Sequence, residues 1–366
     1  MPAFSVISAD SHVIEPPELW RDYVEPAYRE RAPRLVSDAD EDRFVIDGRG
    51  TGTIGLMAGA GRAPEDVSTT GRFDQDVPRA AWDAAARVAA IEADGVQAEV
   101  LYPTVALSIY SNPDSGFVGA CMDAYNRWLV DFCAVEPLRF KGVGLISLHD
   151  VADACRQVDR VAALGMSGVM FPLRPHIDLP YSDDAYDPLW ARVQALGLPV
   201  TMHLFTDPQA TRPASLAEGF ADWVTKPAHM QRTIAEMVFS GVFERFPDLR
   251  VVSAENDIGW IGNFLQRMDH RLTRKRYAMY GDPPLSLMPS EYFHRNVSAT
   301  FMNDRVGIVT RELVGVANLM WSSDYPHHES TWPDSREVCS TMFDGVPAAD
   351  RRRIVVENVA DLYHFE

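Results

Sequence analysis

The chain has 366 residues, of which 46% are hydrophobic and 23% are charged, and both fractions are ordinary for a globular protein. Its 52 acidic and 34 basic residues give a net charge of −18, which argues against a nucleic-acid partner, because phosphate-backbone binding depends on an excess of positive charge. No apolar stretch approaches the roughly 18 residues that a membrane helix needs, so we expect no membrane partner either.

One pattern recurs along the chain: an amphipathic helix, a Gly or Pro at which the helix ends, and then a short apolar run. The apolar runs are continuous rather than alternating, which is typical of parallel strands that are buried on both faces. In chain order the pattern covers residues 91–104, 136–148, 162–173, 194–203, 244–255 and 312–324.

Two further apolar runs, FSVISA (4–9) and RNVSAT (295–300), bring the predicted strands to eight. Eight strands that alternate with helices predict an α/β fold of the (β/α)8 TIM-barrel type. Such a barrel typically needs about 250 residues, so residues are left over, and they fall mainly at about 15–80, between strand 1 and its helix. Because no linker separates a second domain, we predict a single domain over 1–366 with this insertion.

Within the insertion, residues 47–73 are rich in Gly and Thr and show no helical period. Long loops in compact domains are usually functional or disordered. We call residues 47–73 the lid segment, because we expect them to cover one face of the barrel or to pack on a partner subunit.

Side chains that bind metals stand where four of the predicted strands end. Strand 1 ends in Asp10-Ser11-His12, strand 5 in His203, strand 6 in Glu255 and strand 8 in Asp324. TIM-barrel active sites form at the carboxyl ends of the strands, so these side chains should converge. Asp10 and His12 also share one face of an extended segment, about 7 Å apart along the chain. The pattern therefore predicts a metal site at the barrel mouth.

At these strand ends the chain resembles the metal-dependent amidohydrolase superfamily, in the branch of aminocarboxymuconate semialdehyde decarboxylase and γ-resorcylate decarboxylase. The resemblance implies that Asp10, His12, His203 and Asp324 bind a divalent metal, and that Asp324 assists proton transfer. The segments that carry it are SADSHVIEPPELW (8–20), LPVTMH (198–203), LRVVSAENDIGW (249–260), SSDYPH (322–327) and ENVADLY (357–363).

Two positions depart from that branch. Asp10 stands where many relatives have His, and Glu255-Asn256 replaces the histidine that many relatives carry after strand 6. We expect Glu255 to bind the metal, to orient His203, or else to pair with an arginine such as Arg174. Relatives with two metals bridged by a carbamylated lysine are excluded, because predicted strand 4 (166–171) contains no lysine.

Three further side chains follow strand ends and are candidates for substrate contacts. His327 comes soon after Asp324, beyond a proline that bends the backbone, and we expect it to point at the metal or its substrate and to take part in catalysis. Arg174 and His176 follow strand 4 and are candidates for binding an anionic substrate.

Imidazole and carboxylate ligands suit zinc, manganese or iron. We expect zinc, with manganese or iron as alternatives, and a second metal stays open. The resemblance favours non-oxidative decarboxylation of a small aromatic, enol or cyclic carboxylate. Two alternatives stay open beside it: hydrolysis of an amide, ester, lactone or C–C bond by metal-bound hydroxide, and O2 chemistry at a dinuclear iron site completed by Glu255 and His327.

The remaining expectations concern the setting of the protein. The four cysteines are scattered without a CxxC pair, and the first residues lack the basic segment of a signal peptide, so we expect a cytoplasmic protein. We expect a small-molecule substrate and a homodimer, since symmetric dimers are the commonest oligomers.

Overall fold

The computed structural model describes residues 4–175, 179–209, 213–274 and 281–365. Its strands, in chain order, are β1 (Ile7–His12), β2 (Arg34–Ser37), β3 (Asp42–Ile46), β4 (Arg49–Thr51), β5 (Ala98–Tyr102), β6 (Phe140–Leu145), β7 (Gly168–Phe171), β8 (Val200–His203), β9 (Val251–Ala254), β10 (Val297–Phe301) and β11 (Leu319–Trp321).

Eight of these strands form one parallel sheet in the order β1-β5-β6-β7-β8-β9-β10-β11, and each coincides with a predicted strand. Beyond the last pairing, the sheet closes between its two edge strands through the chain that follows β11. The N–H of Asp324 donates to the carbonyl of Asp10 (3.0 Å), and the N–H of His12 donates to the carbonyl of Tyr325 (2.7 Å). The prediction of a (β/α)8 TIM barrel is confirmed.

Helices lie between the barrel strands, and one of them shows the expected signals at both of its ends. In the helix after β6, Asp150 accepts the N–H of Asp153 at the start, and Gly165 has a φ of 76° beyond the end. The helices are α1 (Pro17–Tyr23), α2 (Ile54–Met57), α3 (Phe73–Asp76), α4 (Ala84–Asp94), α5 (Ser115–Cys133), α6 (Val151–Ala163), α7 (Asp187–Leu196), α8 (Leu216–Val224), α9 (Pro227–Phe239), α10 (Val242–Arg245), α11 (Ile261–Thr273), α12 (Pro289–Asn296), α13 (Arg305–Val309), α14 (Arg311–Val314), α15 (Ser335–Met342), α16 (Ala348–Arg352) and α17 (Asn358–Tyr363).

The insertion after β1 contains a small antiparallel sheet, in the order β2-β3-β4, that sequence analysis did not predict. Only β3 carries a clear signal, since Phe44 and Ile46 are buried and alternate with less buried residues. The flanking strands are short and largely exposed, so their sequences show no alternation that could be recognised. The lid segment likewise contains β4 and α2, where the sequence predicted no helical period.

Two findings concern the cysteines and the lengths of the helices. All four cysteines are free thiols. Within the described ranges, every helix is too short or too polar to cross a lipid bilayer. The single-domain organisation, the homodimer and the cytoplasmic location stay predictions.

Candidate metal centre

The structure brings the five predicted metal-site residues together at the carboxyl ends of the barrel strands. Asp10 and His12 end β1, His203 ends β8, Glu255 follows β9 directly, and Asp324 lies three residues beyond β11. All five are buried, and Glu255 is the most accessible at 9%. Because they come from four strands far apart in the sequence, closure of the barrel is what makes them neighbours.

Three polar atoms at the centre of this group converge without a protein partner. Nε2 of His12 and Nε2 of His203 each lie 3.5 Å from Oδ1 of Asp10. All three atoms are buried and accept or donate no hydrogen bond within the protein, whereas buried polar atoms are nearly always paired. Two imidazole nitrogens and a carboxylate oxygen are ligands that a divalent cation takes, so these residues fit a bound metal ion.

Main-chain carbonyls orient both imidazole rings towards that centre. Nδ1 of His12 lies 2.7 Å from the carbonyl of Pro103, and Nδ1 of His203 lies 2.8 Å from the carbonyl of Leu204. A carbonyl only accepts, so each Nδ1 carries a hydrogen, and in the neutral ring Nε2 presents a lone pair to the centre. This is the usual way in which metal-binding histidines are fixed.

Asp324 and His327 form a second, overlapping group with His12. Oδ1 of Asp324 lies 3.3 Å from Nε2 of His12 and 3.1 Å from Nδ1 of His327. Nε2 of His327 contacts the hydroxyl of Thr104 at 3.0 Å, and the His327 side chain is 16% exposed. The pair Asp324–His327 therefore connects the buried centre to the space outside it.

Glu255 contacts the metal centre at His203. Its Oε2 lies 3.5 Å from Nε2 of His203. Burial first, and then the nearby charge of Asp324, raise the pKa of Glu255 to about 8. Burial lowers the pKa of His203, but the carboxylates of Asp10 and Glu255 outweigh burial and raise it to about 9. A divalent cation would therefore bind His203 by displacing the proton on Nε2.

The two remaining histidines differ in electrostatic surroundings. Burial, reinforced by the charges of His327 and His203, holds the pKa of His12 well below its ordinary value, so His12 is neutral, as a metal ligand must be. Burial also lowers the pKa of His327, but its hydrogen-bonded neighbour Asp324 outweighs burial and raises it.

Strained backbone marks the same strand ends. Phe205, Glu255 and Asp324 are non-glycine residues with φ angles of 65°, 57° and 57°. Such conformations cost free energy and cluster at active sites, where the surrounding fold holds them in place. They turn the chain sharply just after β8, β9 and near β11, and so aim side chains into the barrel mouth.

Two supporting residues escaped sequence analysis. The carboxylate of Glu15 is fully buried and accepts the N–H groups of Thr104 (3.2 Å), Val105 (2.8 Å) and Ala106 (2.9 Å). It thereby holds the loop whose Pro103 carbonyl orients His12. An acidic residue inside the buried stretch 8–20 was the available signal.

The second is Thr300, near the end of β10. Its hydroxyl donates to Oδ2 of Asp10 (3.1 Å) and accepts the N–H of Glu255 (3.0 Å). Sequence analysis gave this strand no functional side chain, because only titratable residues were sought at the strand ends. Thr300 links Asp10 to Glu255 across the mouth.

A cavity of about 480 Å³ opens above Asp324, Glu255 and His327. The lid segment contributes to its wall, as expected of a segment that covers the mouth. The lining residues are Gly52, Thr53, Leu56, Met57, Thr104, Leu107, Ser108, Phe205, Trp223, Glu255, Asp324, His327, His328 and Glu329.

Arg174, a candidate for binding an anionic substrate, is not among the described residues that line this cavity. Nε of Arg174 donates to Oδ2 of Asp207 at 2.8 Å, so the suggested pairing of Arg174 with Glu255 is wrong. Asp207 is closer in the fold because it follows β8, the neighbour of the strand that precedes Arg174. His176 lies outside the described residues.

Comparison with known proteins agrees with the fold. A family model described as amidohydrolase matches residues 10–365. The γ-resorcylate decarboxylase of Rhodococcus jostii is 28% identical over 266 residues, which are 66% of this chain and 75% of that protein.

Two solved structures share the fold over nearly the whole chain. An amidohydrolase from Mycobacterium avium subsp. paratuberculosis has a TM-score of 0.76 and 22% identity, with 99% of this chain and 100% of that chain covered. A dihydroxybenzoic acid decarboxylase from a Polaromonas species, solved with manganese and the inhibitor 2-nitroresorcinol, has a TM-score of 0.68 and 18% identity, with 99% and 97% covered.

Proposed function

Because this chain belongs to the amidohydrolase family, we propose that it is a divalent-metal-dependent enzyme that releases CO2 from a small aromatic, enol or cyclic carboxylate without oxidation. The observation that carries the proposal is the convergence of three buried, unpartnered ligand atoms, from Asp10, His12 and His203. They adjoin Asp324 and Glu255, which line the cavity. The named activity of the Rhodococcus relative supports the reaction class.

We propose that Asp10, His12 and His203 bind the metal and that Asp324 completes the set, since its Oδ1 lies 3.3 Å from Nε2 of His12. When bound, the cation supplies a Lewis acid for the carboxylate and a neighbouring oxygen of the substrate. Zinc is the ion that we propose from the sequence. Manganese, which the Polaromonas structure holds, and iron are the alternatives that a metal analysis distinguishes.

Asp324 is the residue that we propose as the acid. Its carboxyl group lines the cavity and would give a proton to the carbon that bears the substrate carboxyl group. The bond from that carbon to the carboxyl group then breaks, its electron pair returns to the ring or enol, and CO2 leaves. His327 contacts Asp324 at 3.1 Å and is partly exposed, so it can return a proton from solvent.

Glu255 has a different place in this proposal. Its carboxylate contacts His203, but it belongs to neither group of three ligand atoms that lie within 4.8 Å of one another among the described residues. We therefore propose that Glu255 faces the substrate and places its carboxyl group beside His203, rather than binding the metal.

One observation favours the alternative of a second metal. His12, Asp324 and His327 form a second group of potential ligands. The two groups, however, share the single free nitrogen of His12, because its other nitrogen donates to Pro103. One imidazole nitrogen serves one ion, so the geometry supports one metal more than the dinuclear iron site.

Two measurements test the proposal. Protein purified without chelators or added metal is analysed for zinc, manganese and iron, and we expect about one equivalent of a divalent ion. The same protein is then assayed for CO2 and the decarboxylated product with 2,6-dihydroxybenzoate and related hydroxybenzoates. Two equivalents of iron would favour O2 chemistry, whereas turnover of amides, esters or lactones without CO2 release would favour hydrolysis.

A further inference from the structure

The cavity above the metal centre is larger than a single aromatic ring requires. A cavity of about 150 Å³ accommodates benzene, and this one measures about 480 Å³. A hydroxybenzoate held at the metal would therefore leave more than half of the space to another part of the substrate.

Five residues of the cavity wall carry large apolar side chains. Leu56 and Met57 come from the lid segment, and Leu107 follows β5. Phe205 follows β8, and Trp223 lies on α8. The rings of Phe205 and Trp223 lie 5.5 Å apart, and the two residues are 53% and 37% exposed. Large apolar side chains held together yet exposed in a cavity indicate a binding surface for an apolar group.

The backbone at Phe205 supports the same conclusion. With a φ of 65°, Phe205 holds a conformation that a bulky side chain rarely adopts. The cost of this conformation is not repaid by burial of the ring, because half of the residue is exposed. Contact with a bound substrate would provide the compensating burial.

The charges of the cavity lining indicate which kind of group the second part of the substrate is. Besides histidines, the ionisable residues among the described part of the lining are Glu255, Asp324 and Glu329, all of them acidic. Nζ of Lys226 lies 4.0 Å from Glu329 and 5.0 Å from the ring of Trp223, so this lysine already has partners. A second carboxylate on the substrate would be repelled, whereas a neutral apolar group would not.

We propose that the substrate carries, besides the carboxylate bound at the metal, a neutral apolar group of about ring size that lies against Leu56, Met57, Leu107, Phe205 and Trp223. The proposal rests on the proposed function and narrows its substrate class. The apolar group should increase the affinity of the substrate, so binding measurements alone can test its contribution.

The test compares 2-hydroxybenzoate with derivatives that carry a phenyl group, or a carboxylate, at ring position 3, 4 or 5. Affinities are measured by calorimetry on the metal-loaded protein. We expect at least one phenyl derivative to bind tenfold or more tightly than the parent, which is about 1.4 kcal/mol, with a more negative heat-capacity change from apolar burial. We expect every carboxylate derivative to bind more weakly than the parent.

Variants locate the effect. Trp223→Ala and Met57→Ala should each remove most of the preference for the phenyl derivative. Leu313→Ala, which changes a 65% exposed residue on α14, should keep it. Two variants from different segments guard against misfolding of either one.

The outcomes separate this proposal from the proposed function. Binding and decarboxylation of the parent with no gain from any phenyl group would overturn the apolar subsite and leave the reaction intact. A phenyl preference that survives in both Trp223→Ala and Met57→Ala would also overturn the subsite. Failure of every compound to bind would overturn both proposals.

Discussion

The main-chain N–H of Asp324 donates to the carbonyl of Asp10 at 3.0 Å, so the barrel closes between two residues whose side chains face the same metal centre. The next hydrogen bond of the closure, from His12 to the carbonyl of Tyr325, involves a third site residue. Stability of the closure and geometry of the site are therefore linked. Any change that loosens the seam between β1 and β11 should alter metal binding as well as folding.

Arg87 tests this link. Its guanidinium is fully buried, pairs with Glu99 at 2.7 Å and donates to the carbonyls of His12 and Tyr325. Arg87→Met should reduce the free energy of unfolding by about 3–5 kcal/mol, because it leaves a buried carboxylate unpaired. Urea denaturation measures this loss, and metal content should fall with it.

The matched control is Arg79→Met, which breaks an ion pair whose arginine side chain is 72% exposed. That change should cost less than about 1 kcal/mol. Adding Glu99→Leu to Arg87→Met should recover much of the stability. Equal effects of the two single changes would contradict the importance of the buried pair.

His203→Ala tests the metal assignment. Removing one of the three converging ligand atoms should lower metal content and abolish turnover while the barrel stays folded. Elemental analysis measures the metal content, an activity assay measures turnover, and circular dichroism checks the fold. His294→Ala, at an exposed position on α12, is the control. Wild-type metal content in His203→Ala would remove His203 from the ligand set.

The sequence was sufficient to predict the site residues that stand at the ends of barrel strands. Asp10, His203 and Asp324 could be placed because buried parallel strands have an unmistakable apolar pattern and barrels put their active sites at one end. Glu15 and Thr104 could not be placed in this way. Their role depends on a contact between the Glu15 carboxylate and a loop that is distant in the sequence. Their hydrogen bonds join segments 89 residues apart, and local patterning carries no information about such contacts.

Glu15 makes stability depend on pH. Burial raises its pKa from 4.5 to about 7, so the folded state binds this proton more tightly than the unfolded state does. The stabilisation is complete below pH 4.5 and is lost as pH rises through 7, by roughly 3 kcal/mol in total.

Comparison of wild type with Glu15→Gln isolates this dependence, because Gln does not titrate. The difference in free energy of unfolding, wild type minus variant, should fall between pH 5 and pH 7 and level off above pH 8. A difference that rises over that range would show that the three N–H donors, which favour the carboxylate, outweigh burial.

Two main-chain hydrogen bonds attach the lid segment to the turn that contains Pro326, His327 and His328. The N–H of His328 donates to the carbonyl of Leu56, and the N–H of Ala60 donates to the carbonyl of Pro326, both at 3.1 Å. A Cβ at Gly59 would lie 2.6 Å from Cβ of His328. Gly59→Ala should therefore push the lid segment off the His327–His328 turn.

We expect Gly59→Ala to raise KM and to increase proteolytic cleavage within residues 47–73, with metal content unchanged. Overpacking of this kind typically costs about 1–3 kcal/mol. Gly119→Ala is the matched control, because a Cβ there meets nothing within 4 Å. Unchanged KM and unchanged cleavage in Gly59→Ala would show that the lid segment does not contribute to substrate binding.

Glu255 lies beside His203 at the end of β9, and its two possible roles predict different phenotypes. Glu255→Gln keeps the size of the side chain and removes the charge beside His203, whose Nε2 lies 3.5 Å away. If Glu255 acts beside His203 without binding the metal, as we propose, metal content and metal preference should be retained and turnover should slow by about 10- to 100-fold. If it binds the metal, the variant should instead lose metal or shift from manganese or iron towards zinc, since carboxylates suit harder ions. Metal analysis together with kcat therefore separates the two roles, with Glu312→Gln, a side chain 82% exposed, as the control. Unchanged metal content and unchanged kcat in Glu255→Gln would leave Glu255 only a structural place at the end of β9.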